Sequence, residues 1–428
     1  MIIHVVEPGD TVYSIARQYG VSVEQLLTNN GLGRFQNLVV GQTVVVLFPA
    51  QVHTVAEGET LLQIAADYGV SVNTLLQNNP VLTANEFLYP GQTLVIRYDD
   101  QKQGYIAVNG YAYPFINRWV LRRQLPYLTY LSIFTYGFTP EGDLVVPDDE
   151  ELIAMALEYG TAPLLVLAAM SEEGTFSAEL AGQLFNNLEL QQKVIDALAN
   201  TMVQKGYYGI DVDFEFVGGE NSAAFVEFME RLHQRMSALG KVVFVTLAPK
   251  ISSEQPGALY EGHDYGGLGA AADRALMMTY EWGYTYGPPM AVAPINSVRQ
   301  VVEYGVTQIP VQKLLLGIPN YGYDWPLPFV QGETRATTIG NVEAVEIARQ
   351  SGVPIQYDEV SQAPFFHYYH PDNGQEHEVW FEDARSVQAK ARLVNQYGLY
   401  GIGIWQIMRY FPQQWLVLNS IYEIIKLL

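Results

Sequence analysis

From residue 105 to the end, the sequence alternates between short apolar runs and longer segments with helical periodicity. This alternation constrains the fold most strongly, because strands that alternate with helices pair in parallel and eight such units close into a barrel. The strand pattern occurs at residues 105–109, 127–135, 163–169, 209–216, 241–248, 276–281, 313–319 and 401–406. The helical pattern occurs at 149–159, 189–205, 222–239, 293–304, 383–397 and 414–427. We therefore predict an α/β fold with a (β/α)8 TIM barrel over residues 104–428.

One connection is too long for a loop between a strand and a helix. After the seventh predicted strand, residues 321–380 carry strand-like runs and turn signals of their own. A loop of that length without structure is uncommon in a compact domain, so we predict a small inserted α+β subdomain at residues 322–380. Within it, residues 365–374 have the pattern of a hairpin with a turn at its tip. For this reason no metal site is predicted at His367, His370 and His377.

The fourth predicted strand carries three acids in alternation with four apolar residues. Because side chains on a strand alternate between its faces, Asp211, Asp213 and Glu215 share one face. Three neighbouring carboxylates in a buried position must raise at least one pKa. A solvent-facing edge strand or a metal-binding acid cluster would also account for them, but no further His or Asp nearby completes a ligand set. The apolar opposite face, which ends with Phe216, favours a buried catalytic strand.

The N-terminal part of the chain is an internal repeat. Residues 4–11 align with 53–60, residues 14–23 with 63–72, and residues 40–44 with 90–94. We predict two small βααβ modules at residues 1–48 and 51–98, with a short linker at 48–51. In each copy a Thr caps the first helix, a Gly ends it and a Ser caps the second, at Thr11, Gly20 and Ser22 and at Thr60, Gly69 and Ser71.

Both modules resemble LysM domains over their whole length. The resemblance implies binding to glycans that contain N-acetylglucosamine, such as peptidoglycan and chitin. In that family the sugar lies between the loop after the first strand and the loop after the second helix, which here are residues 9–12 with 30–32 and residues 58–61 with 79–82. A tether or a dimerisation module is the alternative. If the modules only hold the enzyme on its substrate, deletion of residues 1–97 weakens wall binding and spares cleavage of short soluble glycans.

Composition excludes several classes of protein. A formal net charge of -22 disfavours nucleic acids and anionic membranes as partners, because both require a basic surface. The absence of Cys excludes disulfides, thiolate metal sites and a Cys nucleophile. The first residues lack the basic start and apolar core of a secretory signal, and no apolar run is long enough to span a bilayer.

Several strand ends supply groups suited to a sugar site. The sixth predicted strand ends with Met278, Tyr280 and Glu281, the seventh with Asn320 and Tyr321, and the eighth with Trp405. Together with the acids of the fourth strand, this pattern resembles glycoside hydrolase family 18, the chitinase-like barrels. The signature of that family is D-x-x-D-x-D-x-E on the fourth strand, a Met-x-Tyr-Asp-type motif on the sixth and a Trp on the eighth. The resemblance extends from about Gly104 to the C-terminus.

The resemblance implies a role for each group of the site and no cofactor. Glu215 would be the general acid and then the general base, and Asp213 would hold the 2-acetamido group of the substrate while it attacks the anomeric carbon. Asp211 would share a proton with Asp213, Tyr280 would bind the acetamido oxygen, and Trp405 would form the floor under the sugar ring. Substrate contacts are also expected from Met278, Glu281, Asn320 and Tyr321.

Two positions depart from the family pattern. Tyr208 replaces the first Asp of the fourth-strand signature, and Glu281 replaces the acid Asp after the Tyr of the sixth strand. Neither position transfers the proton in the mechanism of the family. We expect the charges of Asp211 and Asp213 to raise the pKa of Glu215 so that it stays protonated near neutral pH.

The leading hypothesis is a retaining β-N-acetylglucosaminidase that acts on peptidoglycan. Two LysM repeats before a family 18 barrel, without a signal sequence, resemble the spore cortex-lytic enzymes of endospore-forming bacteria, and this resemblance implies a location in the bacterial spore. A chitinase is the alternative within the enzyme class. A wall-binding protein without activity is the alternative outside it, although the presence of Glu215 disfavours a barrel that has lost its acid.

Overall fold

The computed structural model describes residues 1–34, 36–83, 87–170 and 175–428, and it confirms the predicted barrel. Eight parallel strands form a closed ring, because the first strand pairs with both the second and the eighth. All eight lie where the sequence predicts a strand, although their ends differ by a few residues. The strands are Tyr105–Ala112, Tyr130–Phe138, Ala162–Leu167, Gly209–Val212, Val242–Leu247, Arg274–Met277, Leu314–Pro319 and Gly401–Trp405.

Helices surround the barrel and bury their apolar faces against it. The C-terminal segment differs from the prediction, because the last helix ends at Ile421. A short strand follows, Glu423–Ile424, which pairs in parallel with the start of the first barrel strand. The barrel helices are Arg118–Gln124, Glu150–Glu158, Ala178–Phe185, Leu188–Lys205, Ser222–Ser237, Tyr265–Ala271, Ile295–Gln308, Ala384–Tyr397 and Pro412–Ile421. None of the helices in the described ranges is long and apolar enough to cross a membrane.

The insertion between the seventh strand and the helix Ala384–Tyr397 is a small subdomain with its own sheet. Five antiparallel strands and one helix make up its α+β structure, and the predicted hairpin is confirmed by the pairing of Ala363–Tyr369 with Glu376–Trp380. His377 in this hairpin pairs with Asp324 at 2.7 Å. The elements are Gly322–Pro326, Thr337–Ile339, Asn341–Ser351, Gln356–Asp358, Ala363–Tyr369 and Glu376–Trp380.

Each N-terminal repeat is a two-stranded antiparallel sheet with two helices, as predicted. In the first repeat Ile2–Val5 pairs with Thr43–Val46, and in the second Pro49–Thr54 pairs with Thr93–Tyr98. The predicted linker at 48–51 is wrong, because the strand of the second repeat already begins at Pro49. The helices are Val12–Tyr19, Val23–Asn30, Leu61–Tyr68 and Val72–Asn78. The predicted caps are confirmed: Thr11, Ser22, Thr60 and Ser71 cap the starts of helices, and Gly20 and Gly69 end them with a positive φ.

Both repeats are packed tightly against the barrel. In the second repeat, Gln77 donates to the carbonyl of Pro126 at 2.8 Å and accepts from the hydroxyl of Tyr127 at 2.7 Å. In the first repeat, Thr43 and Gln413 exchange hydrogen bonds of 2.6 and 2.7 Å. Apolar residues of the second repeat also share one hydrophobic core with the barrel.

This docking changes the expected result of removing the repeats. Ile64 and Leu75 of the second repeat pack in the same core as Tyr127 and Trp415 of the barrel. Deletion of residues 1–97 would expose that apolar surface to water, which costs about 25 cal/mol for each Å². The expectation that the deletion spares catalysis on soluble glycans therefore does not follow from this structure, and point substitutions in the repeats are the cleaner test.

Candidate active site

Asp211 lies inside the barrel, as the alternation along the fourth strand predicts. Its neighbours Ile210 and Val212 point outward into the buried layer between strands and helices. The Asp211 carboxylate is fully buried and accepts hydrogen bonds from the hydroxyls of Tyr111 at 2.5 Å and Thr246 at 3.1 Å. Burial raises the pKa of Asp211 to about 6, although these hydrogen bonds lower it.

Asp213 and Glu215 lie beyond the end of the strand. The predicted strand continues to Phe216, but the observed one stops at Val212, and Phe216 is 41% exposed instead of buried. Asp213 is almost completely buried, and its Oδ1 has no hydrogen-bond partner among the described residues. Burial and the charges of Glu215 and Asp211 raise the pKa of Asp213 well above its usual range. Just beyond the strand end, Asp213 thus presents a buried carboxyl whose Oδ1 has no partner among the described residues, and its surroundings disfavour the charged form.

Glu215 lies at the wall of the cleft with Met278, Tyr280 and Glu281. Burial, and then the charge of Glu281, raises the pKa of Glu215 to about 7. A raised pKa of Glu215 agrees with the sequence-based expectation, but its electrostatic cause differs. The sequence predicts that the charges of Asp211 and Asp213 raise it, whereas in the structure the charge of Glu281 does so. The repulsion among the three acids instead raises the pKa of Asp213. A carboxyl with a pKa near 7 can both give and take a proton at neutral pH, as acid and base catalysis requires.

Glu281 adopts a strained backbone conformation with a φ of +67°. The residue as a whole is exposed, but its carboxylate accepts hydrogen bonds from two buried phenols, Tyr321 and Tyr323. The distances from the Tyr323 hydroxyl to the two carboxylate oxygens are 3.1 and 3.2 Å. Burial raises the pKa of Glu281, and these two hydrogen bonds offset part of that rise by stabilising its charged form, whose charge in turn raises the pKa of Glu215.

We expect Glu281→Gln to move the alkaline limb of the pH–activity profile to lower pH. The acid works only while Glu215 is protonated, so activity falls as the pH rises through about 7. Removal of the negative charge at position 281 lowers the pKa of Glu215, so the fall begins earlier. Glu281→Asp keeps the charge and serves as the control. If the two variants have the same alkaline limb, the charge of Glu281 does not tune Glu215.

The structure brings most of the predicted aromatic groups to the same end of the barrel. Tyr280 is buried beside the acids, and burial and the charge of Asp213 raise its pKa. Trp405 ends the eighth strand and packs edge-on against Tyr111, the residue that holds Asp211, at 5.7 Å between ring centroids. Trp405 is only partly buried, so part of its side chain remains accessible. The arrangement places an aromatic surface next to the acids.

Asn320 is the predicted site residue that the structure places elsewhere. It is buried, and its side-chain amide donates to the main-chain carbonyls of Gln406 at 3.1 Å and Arg409 at 2.9 Å. Asn320 therefore holds in place the segment that follows Trp405. The hydrogen bonds of its side chain do not favour a direct contact with substrate.

Sequence reasoning missed the groups that position the acids. Tyr111 and Thr246 come from the first and fifth strands, Tyr323 from the insertion, and His263 from the loop before the helix Tyr265–Ala271. Strand ends could have pointed to Thr246, but nothing in the sequence pattern marks the other three. Within the ranges that the structure describes, no group of three or more His, Asp or Glu side chains could hold a metal ion.

Comparison with protein families gives two matches. The model described as glycosyl hydrolases family 18 matches residues 170–409, which is more than half of the chain. The LysM domain model matches twice, at residues 4–46 and 53–97. The first match contains the acids and the ends of the later strands, and the other two coincide with the repeats.

Similar proteins extend over the full length of the chain. The cortical fragment-lytic enzyme of Bacillus subtilis is 39% identical over 100% of this chain and 99% of that protein, and the enzyme of the same description from Bacillus anthracis is 39% identical over 98% of both. The crystal structure of the Bacillus cereus spore cortex-lytic enzyme SleL covers 99% of this chain and 98% of its own, with a TM-score of 0.84 and 36% identity. With its acids at the end of the fourth strand of a closed barrel, the chain belongs to the glycosyl hydrolases of family 18 and carries two LysM domains before the barrel.

Proposed function

We propose that the protein is a retaining, substrate-assisted β-N-acetylglucosaminidase that hydrolyses the glycan strands of peptidoglycan in the spore cortex. The observation that carries this proposal is the buried carboxyl of Asp213, whose unpartnered Oδ1 lies beside a second carboxyl with a pKa of about 7. Two carboxyls in different environments have the separate roles that glycoside cleavage needs.

In the first step, Glu215 donates its proton to the oxygen of the glycosidic bond. The carbonyl oxygen of the substrate 2-acetamido group forms a bond to the anomeric carbon as the bond from that carbon to the leaving oxygen breaks. Asp213 holds the acetamido nitrogen, and Tyr280 donates to the acetamido oxygen. Trp405 supports the ring from below, and Tyr321 keeps Glu281 in position.

In the second step, Glu215 takes a proton from water. The water oxygen attacks the anomeric carbon, and the bond to the acetamido oxygen breaks, so the substrate recovers its acetamido group. Two inversions at the same carbon give net retention of configuration. Asp211, which Tyr111 holds inside the barrel, raises the pKa of Asp213 through its charge and would share a proton with it.

Peptidoglycan of the spore cortex is the substrate that similar proteins favour. The related enzymes of Bacillus subtilis and Bacillus anthracis are described as cortical fragment-lytic, and the Bacillus cereus structure is that of a spore cortex-lytic enzyme. LysM domains suit a glycan partner, and a net charge of -22 suits a neutral sugar ring better than a polyanion. The place of action is then the bacterial spore, with the repeats holding the enzyme on the wall.

Product analysis tests this proposal and separates it from the chitinase alternative. The protein is incubated with purified cortex fragments and with chitin oligosaccharides, and the new reducing ends are identified by mass spectrometry. We expect cortex fragments that end in reducing N-acetylglucosamine, with the β-anomer formed first in a proton NMR time course. Faster cleavage of chitin would support the chitinase alternative. No cleavage of either substrate, with wall binding retained, would support a binding protein without activity.

A further inference from the structure

His263 is a buried histidine that connects the ends of two barrel strands. It lies in the loop before the helix Tyr265–Ala271, and its side chain is fully buried. The ring Nε2 is 3.1 Å from the main-chain carbonyl oxygen of Glu215, and Nδ1 is 3.2 Å from the main-chain nitrogen of Ala248. Both ring nitrogens are thus used, one on the segment of the acid and one at the end of the fifth strand.

The hydrogen bonds fix the protonation state of the ring. A main-chain N–H can only donate, so Nδ1 of His263 accepts from Ala248 and carries no proton. The proton therefore lies on Nε2, which donates to the carbonyl of Glu215. Burial and the charge of Lys250 lower the pKa of His263 to about 4, so the ring is neutral where the enzyme works. A neutral ring leaves the raised pKa of Glu215 undisturbed.

The main chain of Glu215 needs such a support because the strand no longer holds it. The fourth strand ends at Val212, and the last bond toward the third strand runs from the nitrogen of Asp213 to the carbonyl of Leu167 at 2.9 Å. Glu215 lies two residues further along. The carboxylate of an acid catalyst has to meet the leaving oxygen within hydrogen-bond reach, so a shift of its main chain displaces the proton that it delivers.

His263 is itself held by the segment that follows the fifth strand. Lys250 is buried, and its Nζ donates to the carbonyl of His263 at 3.0 Å. The hydroxyl of Tyr265 donates to the carbonyl of Ala248 at 2.6 Å and accepts from the nitrogen of Lys250 at 3.2 Å. The support of Glu215 therefore rests on buried side chains that are hydrogen-bonded to the segment after the fifth strand.

We propose that His263 is a positioning residue for the general acid and that it acts through its Nε2–H on the main-chain carbonyl of Glu215. It does not touch the substrate, and it transfers no proton. The inference rests on the proposed function, because it requires Glu215 to be the proton donor. If the inference is correct, the rate of hydrolysis depends on His263 as well as on the acids of the fourth-strand signature.

Two amide substitutions separate this role from a general contribution to folding. The amide nitrogen of a Gln side chain reaches about as far from the main chain as Nε2 of His, whereas the amide of Asn reaches only as far as Nδ1. His263→Gln therefore keeps the donor to Glu215 and loses the acceptor for Ala248. His263→Asn keeps the acceptor for Ala248 and loses the donor to Glu215. Each variant leaves one buried main-chain group without its partner, so both should lose thermal stability to a similar degree.

The experiment measures kcat, KM and Tm of both variants and of the unaltered protein on a soluble chromogenic N-acetylglucosamine oligomer. We expect kcat to fall by about 10- to 100-fold in His263→Asn, with KM changed less than about twofold, and to stay within about threefold of normal in His263→Gln. Equal kcat values in the two variants, or a loss that simply follows Tm, would overturn the inference. If the unaltered protein cleaves neither this oligomer nor purified cortex fragments, the proposed function fails instead; if it cleaves only the fragments, the same comparison of the two variants is made on them.

Discussion

Substitution of Glu215 by Gln is expected to reduce kcat by at least about 10²- to 10⁴-fold, which is the contribution of a positioned general acid. Gln has nearly the same shape, but its amide is far too weak an acid to protonate the leaving oxygen. Hydrolysis of soluble oligomers and of cortex fragments is measured by the release of reducing ends. Because Glu215 lies in the cleft of the barrel and the repeats are proposed to bind the wall, we expect binding to insoluble wall, measured by sedimentation, to remain unchanged.

The matched control is Glu220→Gln, which changes an exposed acid shortly after Glu215 in the chain. This variant should have normal kcat and normal wall binding. If Glu215→Gln lyses the substrate at the normal rate, another group delivers the proton, and the proposed mechanism is wrong at its first step.

Asp213→Asn should lower activity strongly and raise stability at the same time. The carboxylate of Asp213 orients the acetamido group and stabilises the positive charge that develops on it, and the loss of one such group typically reduces kcat by about 10²- to 10³-fold. We expect KM to change little, because Asn still fills the same space. Activity is measured on the soluble oligomer.

The gain in stability follows from the sign of the pKa shift. The pKa of Asp213 is higher in the folded protein than in the unfolded chain, so its contribution to stability is present below the pKa of the unfolded state and is lost as the pH rises through the folded pKa. Asn does not ionise, so the variant should have a higher Tm than the natural protein at neutral pH, with a smaller difference at low pH. Reduced activity combined with reduced stability at neutral pH would show that the carboxyl serves folding instead.

The barrel and the acids could be predicted from the sequence because both follow from simple periodicities. Eight apolar runs fixed the strands, and the alternation of Asp211 with Ile210 and Val212 placed the acid inside. The alternation failed at Phe216 because it holds only while the chain is extended, and the strand had already ended. The last helix was predicted too long because apolar residues after Ile421 serve a short strand instead.

The supports of the site could not be predicted, because they depend on contacts between distant parts of the chain. His263 reaches Glu215 across 48 positions, and Tyr111 reaches Asp211 across 100. No local pattern distinguishes such residues from ordinary core residues. The docking of the repeats escaped prediction for the same reason, since a tether and a docked module have the same internal sequence pattern.

The docking of the repeats has a further consequence, because the first repeat also touches the insertion, where the main-chain nitrogen of Ile355 donates to the carbonyl of Val40 at 2.9 Å. Gly41 lies so close to the insertion that an added Cβ would be 1.8 Å from the carbonyl oxygen of Ile355, whereas the equivalent Gly91 in the second repeat has nothing within 4 Å. Modules docked so closely on the barrel cannot move relative to it as modules on a flexible linker do. If the repeats bind the wall as proposed, the active site reaches only the glycosidic bonds at a fixed distance and orientation from the bound repeats, and further digestion requires the repeats to dissociate and bind again.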